Sequence, residues 1–228
     1  MVHAEGKTLH TAIDLAEKHR QRLHACHLAT EEEVLMVKQA KEAGLPVTCE
    51  VGCHHLFLTE NDVADKGAFA IMRPPLATNK DQQALWVNLD VIDMIASDHA
   101  PHSRDEKLSS EKPPFGVPGL ETTLPLMLTA VAEGRLSLDR LVELTSTNPR
   151  RIFDMRETPD TYTEVDLKHS YVVDSRNLKT KAGWTPFEGM RVTGRIAKVV
   201  LRGNVVFDGE DIQHPAMGRV VYPRTQLS

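Results

Sequence analysis

The feature that most constrains this chain is a regular spacing near its start. Short apolar segments recur there, each holding or ending in a polar residue with a metal-binding side chain. His27 follows His3 by 24 positions, and Glu50 follows His27 by 23. The segments between them have helical character. Lys7 to Gln21 carries Leu9, Ala12, Ile13 and Ala16 at helical spacing. Thr30-Glu31-Glu32-Glu33 has the capping-box pattern. The helix it opens is expected to run to about Ala43, where Gly44 ends it and Pro46 prevents its restart. Leu23 to His27 and Val47 to Val51 are the strands. Strand, helix and short loop repeated at this interval predict an α/β fold of parallel strands joined by helical crossovers. Such an order stacks His3, His27 and Glu50 at one end of one sheet.

A second stretch adds to that end. Val91 to Ala96 is short, apolar and β-branched, and reads as a buried strand. Ser97-Asp98-His99-Ala100-Pro101-His102 follows at once. In barrels of alternating strands and helices, polar residues just past the strand ends build the active site. An acid with two histidines close behind it suits metal ligation, general-base work and substrate contact. Taken alone, the same residues also suit a solvated turn capped by Asp98.

The remaining segments read as follows. Gly52 to Asn79 is a long connection, and Asp81 to Leu89 a short helix leading into the strand before Asp98. Cys49-x3-Cys53-His54-His55 has the outline of a zinc knuckle but lacks a second ligand pair nearby, so Cys49 reads as core. Ser103 to Lys112 is charged and expected to be mobile, and Pro113 to Gly119 is a stiff, turn-rich loop. Helices are expected at Glu121 to Ala132 and Leu138 to Thr145, with a short one at Asn148 to Phe153. Arg150 and Arg151 read as a solvated face. From about Tyr162 the pattern turns to strands: Glu164 to Leu167, Tyr171 to Val173, and a hairpin within Gly194 to Phe207 that turns at Gly203-Asn204. The expected segments are thus residues 1–160, barrel-like, and 161–228, a small β-rich module with an irregular tail from Asp211.

Composition excludes some classes. The 228 residues are 41% hydrophobic and 26% charged with net charge −5, which gives no electrostatic reason to expect nucleic acid as a partner. No apolar run approaches the roughly 18 residues of a membrane span. The first residues match no signal or transit pattern. Three cysteines do not suit a disulfide framework, so a cytoplasmic setting is expected.

Ile95 to His102, together with Pro113-Pro114-Phe115-Gly116-Val117-Pro118-Gly119-Leu120-Glu121-Thr122, resembles the dihydroorotases of the cyclic amidohydrolase superfamily. The likeness is particularly to the dihydroorotase domain of the animal multifunctional pyrimidine-synthesis protein, which also carries carbamoyl-phosphate synthetase and aspartate carbamoyltransferase. Val2 to Glu5, Cys26-His27, Val47 to Val51, Asn148 to Phe153 and Trp184 to Gly189 fit the same family. The Ala-Pro-His ending favours it over dihydropyrimidinases and allantoinases.

The resemblance implies a zinc-dependent (β/α)8 barrel that interconverts N-carbamoyl-L-aspartate and L-dihydroorotate in pyrimidine synthesis. It implies that His3 and His27 bind one zinc, and that Asp98 binds another and acts as general base. Cys26 and Glu50 resemble positions that hold an additional zinc. Arg73 and His102 would hold the substrate, and Pro114 and Gly116 would offer backbone groups to its ring. The family's His-x-His pair and bridging lysine have no counterpart before His3. The chain is therefore expected to be the C-terminal half, about four of eight strands, inactive by itself. Four strands cannot close a barrel, and their open edges favour association of copies. The competing expectations are a non-catalytic amidohydrolase-like scaffold and another cyclic amidohydrolase.

Overall fold

The computed structural model describes residues 1–109, 111–213 and 217–221. Three short strands run parallel: β1 (Leu23–Ala25), β2 (Val47–Gly52) and β3 (Met94–Ala96), in the order β1-β2-β3. The first crossover runs through α2 (Glu31–Glu42), and α1 (Lys7–His19) precedes β1. The strand expected before His3 is reduced to one parallel bridge, Val2 to Ala25. In it Val2 N–H donates to His24 O and Cys26 N–H donates to Val2 O. No strand among the described residues pairs with the outer edge of β3.

The chain divides into two compact units, Met1–Thr123 with Asp174–Gly189, and Leu124–Val173 with Met190–Ser228. The first unit contains the parallel sheet. Its core includes Val34, Val37, Cys49, Val51, Leu56, Leu85 and Ile92, all fully buried. The capping box at α2 forms as expected, with Thr30 accepting from Glu33 N–H. Glu33 reaches further than a cap. Its buried carboxylate accepts from Gly6 N–H at 3.0 Å, Ala29 N–H at 2.9 Å and Thr30 N–H at 3.2 Å. One side chain thus ties the segment after His3 to the loop after His27. Lys41 pairs with Asp93 at 2.6 Å, just before β3, and Asp93 accepts the Cys49 N–H at 2.8 Å.

Two segments expected to lack structure are helical. Residues 52–79 hold α3 (Cys53–Phe57), α4 (Glu60–Lys66) and a 3-10 turn at Gly67–Ala70 before α5 (Asn79–Val87). Helices of this length are too short to show a periodicity. Their caps use Asp where the search pattern asks for Glu: Thr59 with Asp62, and Thr78 with Asp81. Ser103 to Lys112 likewise contains α6 (Arg104–Leu108), opened by a Ser103–Glu106 capping box. Its Lys107 is fully buried.

Helix α7 (Leu120–Ala132) starts in the first unit and continues into the second. The second unit goes on through α8 (Leu138–Val142), a π-helical turn at Glu143–Thr147 and α9 (Asn148–Ile152). Its antiparallel sheet has the order β4 (Tyr162–Val172), β5 (Arg191–Leu201), β6 (Asn204–Phe207). β4 is one strand where two were expected. Register shifts at Glu164/Val165 and Asp166/Ser170 break its apolar pattern without ending it. The hairpin turns at Arg202-Gly203, one residue earlier than expected, with φ of 50° and 77°. Positive φ at both central residues is what a two-residue hairpin loop needs. Gly194 lets α7 approach β5: a Cβ there would lie 2.5 Å from Leu128 Cβ. Of the irregular tail expected from Asp211, 214–216 and 222–228 lie outside the described residues; Ile212 bridges Phe207. No helix among the described residues is long and apolar enough to cross a membrane.

Candidate metal centre

Strand register decides which side chains meet. His24 pairs with Thr48 and Ala25 with Cys49, in parallel. Side chains alternate along a strand, so His24, Cys26, Thr48 and Glu50 share one face of the sheet. On that face the donor atoms of His24, Cys26 and Glu50 lie within 4.8 Å of one another. His24 is held from both sides, its Nδ1 at 2.8 Å from Thr48 Oγ1 and its Nε2 at 3.2 Å from Glu50 Oε2. Cys26 and Glu50 are residues the resemblance implies for an additional metal, whereas His24 is not among them. The signal available was its i, i+2 relation to Cys26 in a strand of known register.

His3 and His27 are brought together, their ring centroids 4.3 Å apart and nearly perpendicular. His3 is half exposed and lies 3.5 Å from Glu5. His27 is buried, and its Nδ1 has no hydrogen-bond partner among the described residues. Asp98 is half-buried. It bears on Cys26, whose thiol is pushed up by burial first, then by the Glu50 and Asp98 carboxylates.

The backbone marks two of these residues. Among the described residues, five that are not glycine have positive φ. Arg20 caps α1 and Arg202 forms the hairpin turn, while Asp154 follows α9. The other two are His27, at φ 36°, and Asp98, at φ 41°. Each sits two residues past the end of a parallel strand, β1 and β3. Strained backbone that no cap or hairpin turn explains is found preferentially at functional sites.

A mixed nitrogen, sulfur and oxygen donor set, with an unpartnered buried imidazole nitrogen beside it, fits a transition-metal ion. The residues present therefore fit the metal that the resemblance implies. The knuckle outline does not form such a group. Cys49 and Cys53 are buried and hydrogen-bond to Val91 O and Thr123 O, and burial pushes both thiols up to about 12. In native protein a disulfide thiol reagent should modify one cysteine, Cys26, and all three after denaturation. Bound metal should protect Cys26. Rapid native modification of two or more thiols would contradict this accessibility order.

The expected substrate contacts also fall in the first unit. Arg73 is exposed, with its guanidinium 5.1 Å from the centre of the Phe115 ring. His102 Nδ1 lies 3.5 Å from Glu106 Oε2, and the His102 carbonyl accepts from Trp184 Nε1 at 2.8 Å. Gly116 has φ 119°, and a Cβ there would lie 2.4 Å from Ala100 O. Its N–H donates to Ile71 O at 3.1 Å, so the group it offers a ligand is its carbonyl. Pro114 O accepts from Lys107 Nζ. His99 takes a structural part: its Nδ1 accepts from Gly119 and Leu120 N–H, both at 3.2 Å, at the start of α7. Arg150 bonds Ser146, one turn back in its own helical run.

No family model matches the chain. It is 48% identical over 97% of its length to "Multifunctional protein CAD" of Squalus acanthias, of which it covers 10%. It is 38% identical over 92% of its length to "Dihydroorotase" of Pyrococcus furiosus, of which it covers 50%. Among solved structures, an L-hydantoinase (dihydropyrimidinase) from Arthrobacter aurescens matches at TM-score 0.87 and 30% identity, over 91% of this chain and 49% of that one. The inactive dihydroorotase-like domain of a Chaetomium thermophilum CAD-like multifunctional protein matches at TM-score 0.75 and 27% identity, over 92% and 58%. The chain spans about half the length of the curated dihydroorotases it matches. The parallel sheet, its crossovers and the polar strand ends are those of a partial amidohydrolase barrel. In sequence the chain is similar to part of the dihydroorotases, and in fold to part of the cyclic amidohydrolase barrel.

Proposed function

We propose that this chain supplies the strand-end half of a dihydroorotase site, for reversible interconversion of N-carbamoyl-L-aspartate and L-dihydroorotate. The observation that carries the reading is the pair of strained residues, His27 and Asp98, each two positions past a parallel strand; His27 follows Cys26 in the chain, and the Asp98 carboxylate bears on the Cys26 thiol. The metal is zinc. His3 and His27 hold one ion, Asp98 another, and Cys26 and Glu50, joined by His24, an additional one. When bound, zinc lowers the pKa of water to about 7 and polarises a carbonyl.

The chain's own residues do the rest. Arg73 and His102 hold the substrate carboxylate. Gly116 presents its backbone carbonyl to a ring N–H group, and the Pro114 carbonyl, which already accepts from Lys107 Nζ, offers its second lone pair. In hydrolysis Asp98 takes a proton from the attacking water and returns one to the ring nitrogen as the C–N bond breaks. Cyclisation runs the same transfers in reverse. Residues 1–160 form the barrel part and 161–228 the β module. The setting is cytoplasmic, with carbamoyl-phosphate synthetase and aspartate carbamoyltransferase domains as partners and association between copies. Nucleic acid and membrane are not partners.

The test is an assay of the zinc-loaded protein carrying this chain, with L-dihydroorotate and, in reverse, N-carbamoyl-L-aspartate. Turnover abolished by a chelator and restored by zinc is expected. Tight zinc binding without turnover would favour the second reading, a non-catalytic scaffold, which the likeness to an inactive dihydroorotase-like domain supports. Turnover of hydantoin or dihydrouracil in place of dihydroorotate would make the chain another cyclic amidohydrolase.

A further inference from the structure

Lys107 is fully buried in a short helix that the chain's charge pattern marks as surface. Among the described residues it has no carboxylate partner, which is uncommon for a lysine at that depth. Its Nζ donates instead to two backbone carbonyls, Ile71 O at 2.9 Å and Pro114 O at 2.7 Å. The ammonium also lies 5.6 Å from the centre of the Trp184 ring, within reach of a cation–π contact. Burial pushes it down to about 8, which leaves it charged at neutral pH.

Each partner leads to an expected substrate contact. Ile71 O also accepts the Gly116 N–H, and Ile71 stands two residues before Arg73. Pro114 stands two residues before Gly116. Trp184 donates its indole N–H to the carbonyl of His102. Lys107 Nζ thus joins segments 71–73 and 114–116 directly, and reaches the His102 carbonyl through Trp184. Without Lys107 the Pro114 carbonyl would lose this donor, and Ile71 O would keep only the Gly116 N–H.

We propose that Lys107 is the positioning residue of the substrate-holding loops, a buried clamp that sets Arg73, His102, Pro114 and Gly116 in register. The proposal rests on the reading of those four residues as substrate contacts. The clamp touches neither the strand-end donors nor Asp98. Its loss should therefore act on binding more than on the chemical step.

The experiment compares wild type with Lys107→Met, which keeps the length and removes the donors, and Lys107→Gln, which keeps an N–H donor without the charge. Native-state hydrogen exchange at the Gly116 amide reads the clamp without any ligand. Exchange in Lys107→Met should be at least about tenfold faster, with Lys107→Gln between it and wild type. In turnover assays Lys107→Met should raise KM for L-dihydroorotate about tenfold or more while kcat stays within about threefold and zinc content is unchanged. Unchanged Gly116 exchange would overturn the clamp. So would equal losses of kcat and zinc with no change in KM, or failure of both variants to fold, since Lys107 would then be a general requirement of the core. If wild type neither binds nor turns over L-dihydroorotate, the functional reading fails by itself, and Gly116 exchange still decides the clamp.

Discussion

Replacing Asp98 by Asn should lower turnover of L-dihydroorotate by roughly 10³-fold, the usual scale for removing a general base. Folding should be unaffected. Asp98 holds φ 41°, a left-handed backbone that Asn tolerates as readily as Asp. An Asp98→Ala variant would confound lost chemistry with backbone strain, and Asn avoids that. Because Asp98 is also proposed to hold zinc, metal content should be measured alongside the rate, with assays at saturating zinc. A rate restored by added zinc would assign Asp98 to metal binding alone. A near-wild-type rate without added zinc would remove it from the site.

The second large effect is on stability in acid. His54 and His55 are buried side by side in α3, with ring centroids 4.3 Å apart. Among the described residues His54 Nε2 and His55 Nδ1 lack hydrogen-bond partners, while His55 Nε2 lies 3.2 Å from Pro74 O. Desolvation pushes His55 down to about 4 from an ordinary value near 6.5, and carries His54 well below it, with the neighbouring imidazoles adding to the effect. Between pH 6.5 and about 4 the unfolded chain therefore binds protons that the folded chain refuses. The stability that the neutral rings contribute is fully present above pH 6.5 and is lost as pH falls toward 4. At 1.36 kcal/mol per unit, His55 alone accounts for about 3 kcal/mol. That corresponds to a fall in melting temperature of about 6–12 °C for a chain of this size. His55→Gln, which keeps a donor for Pro74 O, should flatten the profile. Melting curves equally steep in acid for wild type and His55→Gln would contradict the assignment.

Much of the architecture is local in origin and so legible in the chain. The Thr30–Glu33 capping box, the Gly44 stop and the α1 periodicity each involve residues within one or two turns of each other. The 24- and 23-residue steps then fix parallel pairing, because a crossover helix permits little else. Strand ends follow from that pairing, which is why His3, His27, Glu50 and Asp98 could be named as one group, while Cys26 came from the family resemblance. Short elements with Asp in the cap, such as α4, fell below what periodicity can detect.

Tertiary structure alone decided the rest. His24 joins Cys26 and Glu50 only because His24 pairs with Thr48, and a one-residue slip would turn it to the other face. Lys107 reads as surface in a run of charges, yet the Ile71 carbonyl, 36 positions away, and the nearer Pro114 carbonyl draw it inside. Asp98 and His27 are ordinary letters in the sequence, and their positive φ appears only where neighbouring strands force the turn. The sequence by itself determined the order of elements and the chemical type of the strand-end residues, because both arise from near neighbours and periodicity. Register, burial and strain belong to the folded chain, because each depends on contacts between residues tens of positions apart.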